Sequence, residues 1–352
     1  MTPTSSAQRP WTLALLGLVR YRVVVILVAT LAISATFVPG FFAARTLSLG
    51  ADRVATMGLI AIGLTVVLIA GQLDLSGGAI LALSGIAAIG LQEQLGQVPA
   101  AIVGVGVGIL AGTCNGVLVV VLRINSLVAT LASMLLFRAV CHLITDSRPI
   151  SGVDPFFGIP LTQPLFGTLS ARVALFLVLI LLLHVWLTRT VSGRNLFAVG
   201  SNATSASASG IRSRWYLFGA FVFSGFMAGL AGVLFSVASN TGSPVFGDTI
   251  VLTAIAAVVI GGTRLEGGVG SALGTLGGLL TLAALTTAME YQSVPAYVQD
   301  IVTGAILLLL ILLDALTHAK RGVDLSLPSL VRRFSPRRAG STPTKETERT
   351  HA

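Results

Sequence analysis

A chain of 352 residues that is 54% hydrophobic and only 10% charged, with a mean hydropathy of +0.92, is too apolar for a soluble domain, in which about a quarter of residues are charged. Stretches of roughly 20 apolar residues, enough to cross a ~30 Å hydrocarbon core as helices, recur without the alternation of a membrane β-barrel, so the fold class is all-α and polytopic. The formal net charge of +9 sits at the ends and in a few loops, which is a topology signal and not the footprint of a nucleic-acid-binding surface.

In chain order, Arg9, Arg20 and Arg22 precede VVVILVATLAISATFV. Many further spans follow and there is no clear small-x-small cleavage site, so this reads as a first transmembrane helix and not a signal peptide. About ten spans are expected, over residues 23–42, 54–71, 75–92, 99–122, 126–144, 172–188, 215–237, 249–262, 268–288 and 297–314. The second and third are separated only by a short motif and could form one broken element. Arg123, the group Arg189, Arg194, Arg212 and Arg214, and the basic tail all fall on one side of this layout, which the positive-inside rule makes cytoplasmic, with both termini. Arg138, Arg148 and Arg172 fall near or on the other side. The chain thus divides into a cytoplasmic N-terminal segment, 1–22, a transmembrane domain, 23–316, with a cytoplasmic loop at about 190–214, and a basic tail, 317–352. The composition of that tail predicts disorder.

Several local patterns carry chemistry. GQLDLSGG, residues 71–78, sets a carboxylate between two apolar runs. Asp74 and Ser76 are suited to cap or pin the start of the third span, and Gly71, Gly77 and Gly78 to allow a turn and close packing. Glycines within spans, including Gly104, Gly106, Gly108, Gly274, Gly277 and Gly278, suit tight helix contact. Asn115, Asn125, Ser126, Thr130, Ser133, Thr275 and Thr281 are polar groups within or beside spans. They read as interhelical hydrogen bonders or as the lining of a weakly polar pathway. Cys114 and Cys141 read as small core residues. In the loop after the sixth span, Ala203–Ser209 suits a short helix with Asn202 as N-cap and Gly210 as stop, an element able to dock into a partner's cleft. GGTRLEGG, 261–268, repeats the glycine-bracketed pattern of the first motif. Aligning Gly77-Gly78 with Gly267-Gly268 sets Asp74 opposite Arg264, and if the two blocks lie at equivalent depth, Asp74 and Arg264 or Glu266 could face each other near the cytoplasmic side.

Some chemistry is missing. The only lysines, Lys320 and Lys345, lie in the tail, so there is no phosphate-binding loop of the G-x-x-x-x-G-K-[ST] type. The four histidines have no metal-ligand spacing, and there is no G-x-S-x-G nucleophile elbow. No catalytic, metal or cofactor-binding residue is expected.

Three blocks together resemble one family. GQLDLSGGAILALSG, GRNLFAVGSNATSASASGI and LTAIAAVVIGGTRLEGGVGSALGTLGGLL are similar, in order and spacing, to segments of the permeases of bacterial ATP-binding-cassette sugar importers of the ribose, xylose and arabinose type. The likeness spans roughly residues 50–315. Gln72 and Gly77 depart from the usual residues, and Ser205–Ser209 lacks the larger side chains often found in the docking loop. The resemblance implies a multi-pass protein of the bacterial inner membrane that is a transport subunit and not itself an enzyme. It implies a second permease copy, identical or a close paralogue, an ATPase carrying ATP and Mg on a separate chain, and an extracytoplasmic sugar-binding protein. Arg194, Gly200, Ser201, Asn202 and Gly210 would then form the ATPase-coupling loop. Gly71, Asp74, Ser76, Gly77, Gly78, Gly261, Gly262, Gly267 and Gly268 would be hinge positions, with direct sugar contact by Asp74 the sharper alternative. Asn115, Asn125, Ser126, Thr130 and Thr275 would be the first candidates for pathway lining. A stand-alone secondary transporter and a non-transporting membrane component remain as alternatives.

Overall fold

A computed structural model describes residues 22–165 and 169–322. The N-terminal segment to residue 21 and the tail beyond Gly322, with the disorder expected there, lie outside the described residues. The chain divides into two units, Met1–Leu308 and Leu309–Ala352. The second is described only as helix, through to Gly322, and the account below concerns the first.

Each of the ten expected stretches carries a helix. They are α1 (Arg22–Phe37), α2 (Ala44–Ile69), α3 (Gly77–Gly90), α4 (Gln97–Gly116, continued by a π-turn over Val117–Val121) and α5 (Ser126–Ile144). After them come α6 (Ala171–Arg189), α7 (Val191–Ser201), α8 (Ala203–Ala208), α9 (Ser213–Ser239), α10 (Ile250–Ile260), α11 (Ala272–Tyr291) and α12 (Ala296–Gly322). Helices α2, α4, α5, α6, α9 and α11 are long and apolar enough to cross a membrane, whereas α1, α3, α10 and the apolar part of α12 are shorter. The protein is an all-α membrane protein; the described residues also hold a two-residue antiparallel pairing of β1 (Ile150–Ser151) with β2 (Thr241–Gly242) and an isolated bridge between Pro164 and Ser170.

Helix α2 begins ten residues before the expected span, because its first turns contain Asp52 and Arg53, which break the apolar run. Both are partnered: Arg53 pairs with Glu290 at 2.7 Å and Arg172 with Asp52 at 3.6 Å, and Ser170 Oγ also donates to Asp52.

Helix α9 packs against α2, α3 and α4. Its contact with α4 is made by backbone. A Cβ on Gly108 would fall 2.6 Å from both the Gly225 carbonyl oxygen and the Gly229 Cα, and one on Gly112 would fall 2.9 Å from the Gly225 Cα. Glycines four residues apart on both helices form facing ridges, so the axes approach to main-chain contact. Gly106, between two ridge positions, has nothing within 4 Å of a built Cβ and lies off the interface. Cys141 is buried, but Cys114 is exposed, so the expectation of two core cysteines fails for Cys114.

The second and third spans are separate helices that fold back on each other. A Cβ on Gly77, at the start of α3, would lie 3.6 Å from a methyl of Ile60, well inside α2. Residues 72–75 therefore run back alongside α2 as non-helical chain. At 14 and 11 residues, α3 and α10 are about 21 Å and about 16 Å long, and each is preceded by irregular chain that brings it to its starting depth. Their N-termini meet, with Gly78 packed on the Gly247 carbonyl just before α10 and Val251 beside Gly77.

Candidate functional site

The break after α2 is set by a C-terminal glycine motif. Gly71 takes φ +74°, its N–H donates to the Leu68 carbonyl at 2.9 Å, and the Gln72 N–H donates to the Val67 carbonyl at 3.0 Å. This is the Schellman pattern, which needs a left-handed residue at the first position past the helix cap. The same pattern ends α10, where Gly262 takes φ +90°, its N–H reaches Val259 at 2.9 Å and the Thr263 N–H reaches Val258 at 3.2 Å. Gly71 is thus equivalent to Gly262, and the alignment made on the sequence is one residue out of register. Among the described residues Asp74 makes no ion pair with Arg264.

Beyond Gly71 the extended chain must place its N–H groups without helical partners. Leu73 N–H donates to Ser126 Oγ at 3.3 Å and Leu75 N–H to Thr130 Oγ1 at 3.2 Å. Two residues of extended chain rise about 6.6 Å, and four residues of helix about 6 Å. Alternate N–H groups therefore meet hydroxyls one turn apart on α5. Thr130 Oγ1 donates its own proton to the Ser126 carbonyl at 2.8 Å, which leaves its oxygen free to accept.

Asp74 lies at the end of this segment with no exposed surface. Its Oδ1 accepts from Ser76 N–H at 3.0 Å and from Ser76 Oγ at 2.6 Å, while Oδ2 accepts from Ser224 Oγ of α9 at 2.8 Å. Asn115 Nδ2 of α4 donates to Ser76 Oγ at 2.7 Å. Among the described residues no Lys or Arg pairs with Asp74. Ser76 caps α3 by position, but its side chain accepts no cap hydrogen bond. The carboxylate instead holds the turn into α3 and ties it to α9, and Ser76 carries the link to α4. Ser224 carries no signal in the sequence, being one small residue in the run SGFMAGLAG.

The candidate pathway residues separate accordingly. Asn115, Ser126 and Thr130 converge on the extended segment. Asn125 caps α5, accepting from Leu127 N–H at 3.0 Å. Thr275 Oγ1 is 2.8 Å from Thr65 Oγ1, and both residues are fully buried. Ser133 is buried, and Thr281 donates to the Gly277 carbonyl at 2.8 Å.

The stretch expected to be a loop after the sixth span is largely helical. Thr190 Oγ1 accepts from Gly193 N–H at 3.0 Å and starts α7, a capping signal that Gly193 and the surrounding small residues obscure. Asn195 Nδ2 donates to Tyr216 Oη at 2.9 Å and holds α7 to α9, while Arg194 is exposed. Asn202 caps α8, its Oδ1 accepting from Ser205 N–H at 2.9 Å. Gly210, at φ +85°, closes α8 with N–H bonds from Gly210 to Ser207 and from Ile211 to Ala206, both 3.0 Å. The α8 helix is exposed except at Ala206. It rests on the start of α9 through Ser213 Oγ, which lies 2.8 Å from Ser207 Oγ and donates to the Ala203 carbonyl at 3.1 Å.

The three motif blocks meet at the C-terminal end of α7. Gly268 N–H donates to the Ile69 carbonyl at 2.9 Å, and a Cβ on Gly200 would overlap that carbonyl and lie 2.7 Å from Gly268 N. A Cβ on Gly267 would lie 2.6 Å from the Gly71 Cα and 2.8 Å from the Gly200 carbonyl oxygen, and one on Gly268 would collide with Ser201. Gly261, at the end of α10, packs on Gly274 and the Thr275 N–H of α11. The ends of α2 and α7 and the loop between α10 and α11 thus form one junction at main-chain contact.

Residues 46–311 match the family model described as "Branched-chain amino acid transport system / permease component". The chain is 34% identical over 264 residues to the ribose import permease protein RbsC of Bacillus subtilis (strain 168), covering 74% of this chain and 82% of that one. It is 31% identical over 321 residues to ribose import permease protein RbsC of Escherichia coli (strain K12), covering 89% and 98%. It is also 31% identical to the xylose transport system permease protein XylH of Escherichia coli (strain K12), covering 80% and 87%. No solved structure matches the chain.

Proposed function

The chain belongs to the branched-chain amino acid transport system / permease component family, and we propose that it is the transmembrane permease subunit of an ATP-binding-cassette importer for a monosaccharide or related small polar solute. It is a multi-pass protein of the inner membrane. In this reading ten helices cross, with the four shorter ones completed by adjoining irregular chain, and both termini are cytoplasmic. Residues 1–22, 23–316 and 317–352 form the N-terminal segment, the transmembrane domain and the tail, and 190–214 is the coupling region. ATP and Mg bind a separate ATPase chain, an extracytoplasmic binding protein delivers the solute, and a second permease copy, identical or a close paralogue, completes the pathway. The ribose and xylose importers among its relatives support the sugar assignment.

The observation that carries this reading is the junction. Helix α8 is exposed and rests on α9 by polar contacts, in reach of a partner cleft. It continues from α7, whose last residues are interlocked by backbone with the end of α2 and the loop between α10 and α11. A push on α8 cannot move α7 without displacing that helix end and that loop. Contact that differs between two ATPase states is what such a device would transmit.

The test is reconstitution. The permease, co-expressed with its ATPase and binding protein in proteoliposomes, is expected to accumulate sugar only with ATP and with all three components. Uptake by the purified permease alone, driven by an ion gradient, would overturn the reading in favour of a secondary transporter.

A further inference from the structure

We propose that the cavity at the N-terminal end of α10 is a weak binding site for a monosaccharide in transit, an inference that rests on the importer reading above. The cavity holds about 650 Å³ and is bounded by α2, α3, α9, α10, α11, the start of α6 and the irregular chain before α10. That volume lies within the roughly 300–1,000 Å³ of small-molecule sites. Two other cavities, of about 490 and 440 Å³, have linings free of charged side chains, and the first is walled by aromatic residues. The α10 cavity differs in that Asp52, Arg53, Arg172, Asp248 and Glu290 all line it.

These charges are matched. Arg53 pairs with Glu290 at 2.7 Å, Arg172 with Asp52 at 3.6 Å, and Arg138, behind the wall, with Asp248 at 2.7 Å. Three acids against three bases leave no net charge to hold an ion. Every carboxylate keeps unused lone pairs and every guanidinium has donors to spare. Arg172 Nε is buried without a hydrogen-bond partner, so it is the other guanidinium nitrogens of Arg172 that can face a solute. Donors and acceptors set side by side are what adjacent hydroxyls of a neutral sugar require. Phe235 and Phe246, packed edge to face with centroids 4.9 Å apart, also line the cavity and offer an apolar surface to the C–H face of a ring.

The position fits transport. Arg138 Nη1 donates to the carbonyls of Pro244 and Phe246, the latter at 2.9 Å, and so braces the chain that forms one wall. Ile250 and Thr253 of α10 line the cavity, and from the other end of α10, about 16 Å away, the chain runs on to Gly267 and Gly268 of the glycine junction. One short rod and the loop that follows it connect the solute site to the coupling region. Arg138 and Arg172, two of the three arginines that fit the positive-inside pattern badly, are held here by these pairings.

The experiment uses membrane vesicles containing the complete importer with Thr253→Cys introduced beside Cys114→Ser, since Cys114 is exposed and Cys141 buried. A small membrane-impermeant thiol reagent is expected to label the introduced thiol, and 1–50 mM of the transported sugar, tested first with D-ribose and D-xylose, to slow labelling at least threefold. Leucine is expected to give no protection. In parallel, Arg172→Gln is expected to lower sugar uptake at least tenfold, with Arg172→Lys read in its place if the Gln protein does not reach the membrane. Wild-type vesicles that take up no sugar with ATP would defeat the importer reading itself. Wild-type vesicles that transport sugar, combined with unprotected labelling of the introduced thiol or undiminished uptake by the Arg172 variant, would overturn the site alone. Protection by leucine and not by sugar would also overturn it, in favour of an amino-acid site.

Discussion

Gly268 donates its N–H to the carbonyl of Ile69 at 2.9 Å, across the space that a side chain on Gly200 would fill. Residues 69, 200 and 268 come from or adjoin the three sequence blocks that mark the family, so one backbone junction accounts for glycines in all three. Gly200→Ala is expected to break the Ile69–Gly268 bond or drive α7 away from α2, at a cost of about 1–3 kcal/mol. The visible effect should be on transport, with ATP hydrolysis losing its link to uptake in protein that still inserts. Coupled uptake at wild-type efficiency in a Gly200→Ala complex would show that the contact transmits nothing.

Gly210 makes a contrast. It has φ +85° but nothing within 4 Å of a built Cβ, so a side chain there meets strain and no clash. Gly210→Ala is expected to destabilise the end of α8 by about 1 kcal/mol, and Gly210→Asn, which tolerates the left-handed region better, by less. Amide exchange over residues 203–210 should rise in the order Gly, Asn, Ala, with uptake falling in step. An Asn variant as defective as the Ala variant would mean that a partner reads the glycine surface and not the turn.

Much of this architecture is legible in the sequence because lipid simplifies the signal. Apolar length locates a helix in each of the ten stretches, and Asn202 and Gly210 mark the ends of α8 by capping chemistry alone. The differences have physical causes. The start of α2 is hidden because Asp52 and Arg53 look like loop residues until Arg172, Ser170 and Glu290 are placed beside them. Helix α7 is hidden because Gly193 and nearby small residues lower helix propensity, whereas packing of Gly193 on the backbone of Trp186 and Leu187 requires a glycine there. The convergence of Asn115, Ser126 and Thr130 on residues 73–76 is long-range, and no local pattern encodes it. The charged cavity is invisible for the same reason, since its residues sit at the ends of separate spans and gain meaning only in pairs.

The α4–α9 contact gives a test within a single helix. Gly106 and Gly108 are two residues apart, yet only a Cβ on Gly108 would meet the backbone of α9. Gly108→Ala is expected to cost about 1–3 kcal/mol through forced separation of the helices. Gly106→Ala is expected to be neutral or stabilising by up to about 1 kcal/mol, because alanine favours the helix. Thermal unfolding of detergent-purified protein, followed by loss of the monodisperse peak, should separate the two variants. Equal melting temperatures would remove the ridge contact as a determinant of the fold.

Asp74 allows its structural and chemical roles to be separated. Its two oxygens accept three hydrogen bonds, from Ser76 N–H, Ser76 Oγ and Ser224 Oγ, and the carboxylate has no exposed surface. In Asp74→Asn the amide oxygen can keep both Ser76 bonds, and the amide nitrogen can donate to Ser224 Oγ, which accepts as readily as it donates. That variant should fold and transport at close to wild-type rates. In Asp74→Leu three donors lose their acceptor, each at about 1–3 kcal/mol, which together approach the roughly 5–15 kcal/mol that holds a typical domain folded. It should yield no monodisperse protein. Ser224→Ala removes one bond, and its coupling to Asp74→Asn in a double-mutant cycle should be within about 0.5–3 kcal/mol. A well-folded Asp74→Asn protein that binds its ATPase but no longer transports would show that the charge itself acts on the solute, and the pinning role would then be only part of what this carboxylate does.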